Sequence, residues 1–265
     1  MALNYDARMQ FVNVGRQRLE VRRISGAVAL APLVFLHEGL GSAKLWTQSG
    51  LDWPQAVCAA TGRAGLVYSR RGYGQSSPAP PGRNVLPPDY MHREADAVLP
   101  ALLAQLSLLN PVLLGHSDGA TIALLYASQF PVAGCVAMAP HVLVEDAAVK
   151  AITQAKQAFE TGDLRRRLAK HHADVDGAFW QWNDVWLCEA FASFDIRAEC
   201  QNISAPLLLV QGLSDVYGTM RQLDEIAAVA PHAKQLRLAD CGHSPHRDQP
   251  QAVLQAVVEF LQDVA

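Results

Sequence analysis

Apolar and polar positions along the chain change period several times, and each change marks an element. Residues 10–24 (QFVNVGRQRLEVRRI) roughly alternate on either side of Gly15-Arg16. A period of two belongs to a half-buried strand, so this stretch predicts an antiparallel hairpin with one face in water. Residues 32–36 (PLVFL) instead form a short, almost wholly apolar run, as do Leu66–Tyr68, Val112–Leu114, Cys135–Ala139 and Leu207–Val210. Runs this short and apolar on both faces suit parallel strands covered by helices on each side. Helical patterns lie between them at Asp89–Leu109, Thr121–Gln129 and Tyr217–Val229, and a last one covers 251–264. Strand and helix in alternation predict an α/β fold whose parallel sheet is wound by right-handed crossovers.

The alternation stops after Pro140 and resumes at Pro206 with PLLLV. Between Val142 and Cys200 there is no strand-like run, only helical patterns, the cluster Arg165-Arg166-Arg167 and an aromatic stretch. Residues 142–200 are therefore read as a helical insertion, or cap, dividing a core of 1–141 and 201–265. No repeat, low-complexity tract or flexible linker interrupts the chain.

Composition narrows the partners. Half of the 265 residues are hydrophobic and 18% are charged; that is below the usual ~25% and points to a sizeable core. A net charge of −3 offers no basic field to nucleic acid and no polybasic run to a membrane. Cys58, Cys135, Cys188, Cys200 and Cys241 are odd in number and lack metal-ligand spacing, as expected for reduced cytosolic thiols. MALNYDARMQ has no basic stretch leading into an apolar core, and no run reaches the ~18 apolar residues of a membrane span. A soluble, cytoplasmic protein is expected.

The strongest chemical signal is GHSDG at 115–119, between the apolar run 111–114 and the helical stretch ATIALLYASQF. A serine on a tight strand-to-helix turn projects its hydroxyl, and Gly115 and Gly119 let strand and helix pass closely. Serine alone is a weak nucleophile and needs a base held by an acid. Asp215 follows the apolar run 206–210, and His243 lies in the glycine-containing CGH loop before the last helix. The order Ser117, Asp215, His243 is the one such a fold requires. Asp224 and Asp240 are weaker candidates for the acid, and His246 for the base. His116 and His141, near strand ends, are read as pocket-lining or packing residues. Acyl transfer also needs two donors for a developing oxyanion. The expected pair is the backbone N–H of Asp118, whose side chain should point away, and one from the glycine-rich loop HEGLGS (37–42), at Gly39.

Taken together these segments resemble the α/β-hydrolase superfamily nearly end to end. LHEGLGS is similar to its histidine–glycine oxyanion loop, YSRRGYGQSSP (68–78) to its D-x-R-G-x-G-x-S-x-P segment, and GHSDG, QGLSD and CGHSPH to its elbow, acid and histidine motifs. The resemblance implies a mostly parallel eight-stranded sheet with helices on both faces and no metal or organic cofactor. Two departures stand out. Glu38 replaces a glycine and is read as an anchor of its loop or a partner for a polar substrate group. Ser69 replaces an aspartate and is expected to alter loop bracing rather than chemistry.

The substrate hints are fewer. Phe179, Trp182 and Trp186 share one helical face at i, i+3, i+7 spacing and are read either as glue between cap and core or as the roof of an apolar pocket. Trp46, just behind the oxyanion loop, is expected as a further wall, and Glu38 and His141 as neighbours. RRRLAKHH (165–172) reads as a solvated basic face or, as the alternative, a guide for an anionic substrate. The expected substrate is a small molecule with an apolar or aromatic acyl group. The favoured reaction is hydrolysis of an ester-type bond (carboxylic ester, lactone or thioester) through an acyl-enzyme on Ser117. Cleavage of a carbon–carbon bond in a diketone-like ring-fission product, and ligand binding without turnover, are the other readings.

Overall fold

The computed structural model describes residues 9–264. The reading of the first residues as free of a leader rests mainly on 1–8, which lie outside the described residues. The hairpin forms as expected. Strands β1 (Gln10–Val14) and β2 (Gln17–Ile24) pair antiparallel around Gly15, whose φ of 57° is natural for glycine in a two-residue turn. Six further strands complete the main sheet: β3 (Leu33–Leu36), β6 (Gly65–Tyr68), β7 (Val112–His116), β8 (Gly134–Met138), β9 (Leu207–Gly212) and β10 (Lys234–Leu238). A separate two-stranded ribbon joins β4 (Thr47–Gln48) to β5 (Leu51–Asp52). The main sheet has eight strands in the order β1-β2-β6-β3-β7-β8-β9-β10, parallel from β6 to β10. The protein has the α/β-hydrolase fold.

The apolar runs follow from burial on both faces. In β3, Val34 and Leu36 enter one core while Leu33 and Phe35 enter the other. The same division separates Leu113 from Val112 and Leu114, and Leu207 and Leu209 from Leu208 and Val210. Helices α1 (Trp53–Thr61) and α11 (Pro250–Gln262) cover the second core. The first core is covered by α2 (Tyr90–Arg93), α3 (Leu99–Gln105), α4 (Asp118–Ala127) and α9 (Arg221–Val229). Helix α4 is buried along its whole length. Between β8 and β9 stand α5 (Asp146–Thr161), α6 (Leu164–Leu168), α7 (Val175–Leu187) and α8 (Arg197–Cys200). Arg165, Arg166 and Arg167 on α6 are exposed and ion-paired with Asp176 or Asp163. No helix among the described residues is long and apolar enough to cross a membrane.

Two helices differ from their expected extents. The segment expected as one helix from 89 to 109 is α2, a π-helical turn at Glu94–Val98, and α3. Pro100 supplies the reason, since it lacks the N–H that would bond to Asp96 and its ring crowds that carbonyl. Helix α9 begins four residues later than expected. The Tyr217 amide is taken by Asp215 Oδ1 (2.8 Å) and the Thr219 amide by Glu145 Oε2 (2.9 Å), so the segment before it is held as a loop.

The π turn buries the Glu94 carboxyl beside Arg70. Burial pushes it up to about 7 from an ordinary 4.5, against the pull of the Arg70 charge. A carboxyl raised on folding leaves stability intact below 4.5 and removes it as pH rises through the folded value. Glu94→Gln should therefore flatten the fall in stability between pH 4.5 and 7, read as urea midpoints across that range.

Candidate active site

The sequence GHSDG folds into a turn that few other residues permit. Ser117 closes β7 with φ 54° and ψ −122°, and α4 starts at the next residue. A Cβ on Gly115 would run into the backbone of Gly119 and Ala120, and one on Gly119 into that of Leu36 and His37. The glycines therefore set how closely α4 crosses β7 and β3. Three backbone bonds hold the turn. The Ser117 amide donates to Met138 O (2.9 Å), and its carbonyl accepts from the amides of Ala120 (2.8 Å) and Thr121 (3.0 Å).

Strand ends bring the other two groups to this turn. Asp215 lies just beyond β9 and His243 in the loop after β10. His243 Nε2 is 2.9 Å from Ser117 Oγ, and His243 Nδ1 is 2.8 Å and 3.0 Å from the Asp215 carboxylate oxygens. With the imidazole proton on Nδ1, Nε2 is free to accept the serine hydroxyl proton. Asp215 also accepts from Gln211 Nε2 (2.9 Å) and the Tyr217 amide (2.8 Å). Burial works to raise its carboxyl, but the His243 and Tyr217 hydrogen bonds and the imidazole charge hold it below the usual carboxylate value. His116 steadies the histidine loop by donating from Nε2 to the His243 carbonyl (2.6 Å). The rival groups lie elsewhere. Asp224 is ion-paired with Arg237 and Asp240 is exposed, while His246 packs against Trp46 at 4.8 Å and Trp53 at 5.6 Å between ring centroids.

The loop after β3 is braced from several sides. His37 donates from Nδ1 to Glu38 O (2.7 Å) and accepts at Nε2 from the Arg70 amide (3.0 Å). The Arg70 guanidinium donates to the carbonyls of His37 (2.5 Å) and Glu38 (3.1 Å). His172, from the segment before α7, donates to Leu40 O and accepts from the Gly74 amide, both at 3.0 Å. Burial pushes His172 down to about 4 and His37 well below its ordinary value, with Arg70 adding to the latter. Both are therefore neutral, as one donating and one accepting nitrogen require. At Gly39 a Cβ would enter the Trp182 indole.

The two unusual residues become intelligible here. Glu38 accepts from Arg247 Nη2 at 2.5 Å and lies 3.5 Å from His116 Nδ1. Burial opposes its ionisation, yet Arg247 and His116 keep it well below the usual carboxylate range. Ser69 Oγ donates to Glu20 Oε2 (2.7 Å) and accepts from the Ala43 amide (2.8 Å), tying β6 to β2 and the loop after Gly41. The Asp118 side chain turns to Tyr90 Oη (2.5 Å) and Arg70 (3.8 Å), and burial raises its carboxyl. Trp186 Nε1 donates to the same Tyr90 oxygen at 3.1 Å.

A cavity of about 200 Å³ opens onto Ser117 and His243. Glu38, Gly39, His141, Trp182 and Trp186 all line it. His141 is pushed down to about 3 by burial and the nearby His243. Trp46 is a correction. It stacks on Trp53 at 5.9 Å and meets Phe35 edge-on at 5.7 Å, in the core on the opposite face of the sheet. The short helical turn Ala43–Trp46 that follows the loop carries the indole under the sheet instead of toward the serine. The aromatic stripe divides likewise: Phe179 stacks on Phe159 of α5 (3.8 Å), while Trp182 and Trp186 reach the cavity. Sequence reading missed Gln211, Tyr217, Ile152 and Arg247. A lone amide ending an apolar strand was a signal for Gln211. For Arg247 the signal was a carboxylate at a usual glycine position, which needs a counter-charge.

The alpha/beta hydrolase family model matches residues 33–256. The chain is similar to an sn-1-specific diacylglycerol lipase of Mus musculus, 26% identical over 272 residues, 92% of this chain and 85% of the relative. Among solved structures, an enol-lactonase from Burkholderia xenovorans LB400 superposes with a TM-score of 0.73 at 21% identity, over 96% of this chain and 100% of that one. A hydrolase from Pseudomonas aeruginosa PA01 gives 0.70 at 22%, over 96% and 98%.

The Asp215 environment has a consequence for acid stability. A carboxyl held below its ordinary 3.8 stabilises the fold above that pH and loses this contribution as pH falls through the folded value. Asp215→Asn should remove this acid-dependent component, so that denaturant midpoints of the variant fall less than those of wild type as pH drops below 3.8.

Proposed function

The chain belongs to the alpha/beta hydrolase family, and on that premise we propose that it hydrolyses an ester-type bond (carboxylic ester, lactone or thioester) through an acyl-enzyme on Ser117. The observation that carries this reading is the unbroken hydrogen-bonded line from Ser117 Oγ through His243 to Asp215. His243 takes the hydroxyl proton as Ser117 attacks the carbonyl, and it returns that proton to the leaving group. Asp215, fixed by Gln211 and the Tyr217 amide, keeps the imidazole tautomer and stabilises the imidazolium. The amides of Gly39 and Asp118 receive the oxyanion; the latter opens α4, where backbone N–H groups have no helical partner. Water then attacks the acyl-enzyme with the same base.

Residues 142–200 serve as a cap in this scheme. Trp182 and Trp186 on α7 form an apolar roof for the acyl group, and Ile152 on α5 adds to it. The small cavity favours a compact acyl group, aromatic or of short to medium length. The diacylglycerol lipase among the similar proteins is named for ester-type chemistry, which accords with this choice of bond.

Ser117→Ala should lower kcat on a p-nitrophenyl ester by at least about 10³-fold while the melting temperature stays near wild type. It should also abolish labelling by a fluorophosphonate. Full activity in this variant would exclude the acyl-enzyme. Turnover of a dienoate ring-fission product in place of every ester would replace ester hydrolysis with carbon–carbon cleavage.

A further inference from the structure

The mechanism above has no use for the pair Glu38–Arg247, although both side chains line the same cavity as Ser117. Glu38 directly precedes Gly39, and Arg247 sits four residues after His243 on α10 (Pro245–Asp248). The pair makes contact at 2.5 Å, and the other carboxylate oxygen faces His116 Nδ1 at 3.5 Å. The carboxylate has little room to turn away. Its side chain is 16% exposed, and Oε2 packs so closely on Gly41 that a Cβ there would collide with it. Uncompensated, an anion at this place opposes negative charge growing on a carbonyl oxygen held by the adjacent residue's amide, in a site where water screens poorly.

We propose that Arg247 is a positioning residue for the reaction: its guanidinium neutralises Glu38 so that an oxyanion can form beside it. Glu38 in turn faces His116, which supports the His243 carbonyl at 2.6 Å. A line of contacts thus runs from α10 through the oxyanion loop and the end of β7 back to the histidine loop. This role rests on the Ser117 acyl-enzyme reading and adds to it a requirement for charge balance. The requirement acts when the oxyanion forms, so it falls on kcat rather than KM. It also disappears when the Glu38 charge is removed, which a merely structural role for Arg247 would not do.

The test measures steady-state kinetics on an ester that wild type turns over, with fluorophosphonate labelling rates, in Arg247→Gln, Arg247→Lys, Glu38→Gln and the double variant E38Q/R247Q. Thermal melting reports folding. Arg247→Gln should lower kcat about 10- to 100-fold, with KM within about threefold of wild type. Arg247→Lys, which keeps the charge, should lose less than about fivefold. E38Q/R247Q should recover at least about tenfold over Arg247→Gln. Unchanged kcat in Arg247→Gln, or a folded double variant as slow as Arg247→Gln, overturns the proposal. If Arg247→Gln does not fold, E38Q/R247Q is compared with Glu38→Gln: matching kcat supports the proposal, and a further tenfold loss overturns it. An active, labelled wild type with all variants equal removes the Arg247 role alone. A wild type that neither turns over esters nor labels removes the acyl-enzyme reading, and this role with it.

Discussion

Helix α4 crosses the ends of β7 and β3 at separations that leave no space for a side chain at Gly115 or Gly119. That contact forces Ser117 into a backbone conformation with φ 54°, which L-residues adopt only when the surrounding structure over-determines it. The buried length of α4 and the three backbone bonds at the turn supply that constraint. Everything else at the site is arranged around the hydroxyl so presented. The adjoining strands β3 and β8 flank β7, and the loops beyond β9 and β10 deliver Asp215 and His243 to the same carboxyl end of the sheet.

Charge inside the protein is held by a small number of specific partners. Arg70 is buried and donates to the carbonyls of His37 and Glu38 while facing Asp118. One cation thereby shapes the loop after β3 and steadies the carboxylate next to Ser117. Glu38 is balanced by Arg247. Partly buried ion pairs of this kind contribute little net stability compared with apolar packing, but breaking one side leaves a costly orphan charge. Their value here is in orientation, because the polar groups they fix border the cavity.

The helices between β8 and β9 join the rest of the molecule through a shared apolar core and specific polar contacts. Phe159 and Phe179 stack between α5 and α7, making the layer coherent. Arg83 pairs with Asp184 and covers the Trp180 ring at 3.8 Å, tying α7 to the loop before α2. Trp186 shares Tyr90 Oη with Asp118. A side chain that lines the cavity is thus in hydrogen-bond communication with the residue that follows Ser117.

The local periodicities were enough to read a parallel α/β sheet, because a sheet buried on both faces must be written as short apolar runs between helical stretches; the eight-stranded hydrolase fold was implied by the resemblance of the motifs. The turn at 115–119 and the order of Ser117, Asp215 and His243 were legible for the same reason: each is a local pattern tied to a strand end. Contacts between distant segments were not. Trp46 reads identically whether its indole faces the cavity or the far side of the sheet, and only the packing of Phe35 and Trp53 decided which. Phe179 and Trp182 share a helical face in sequence, yet the position of α5 sent one into the layer and the other to the cavity. Arg247 finding Glu38, and Gln211 finding Asp215, depend on where loops from separate strands end. A sequence records what each segment needs buried or bonded; which partner meets that need is set by three-dimensional proximity, and so by the tertiary structure.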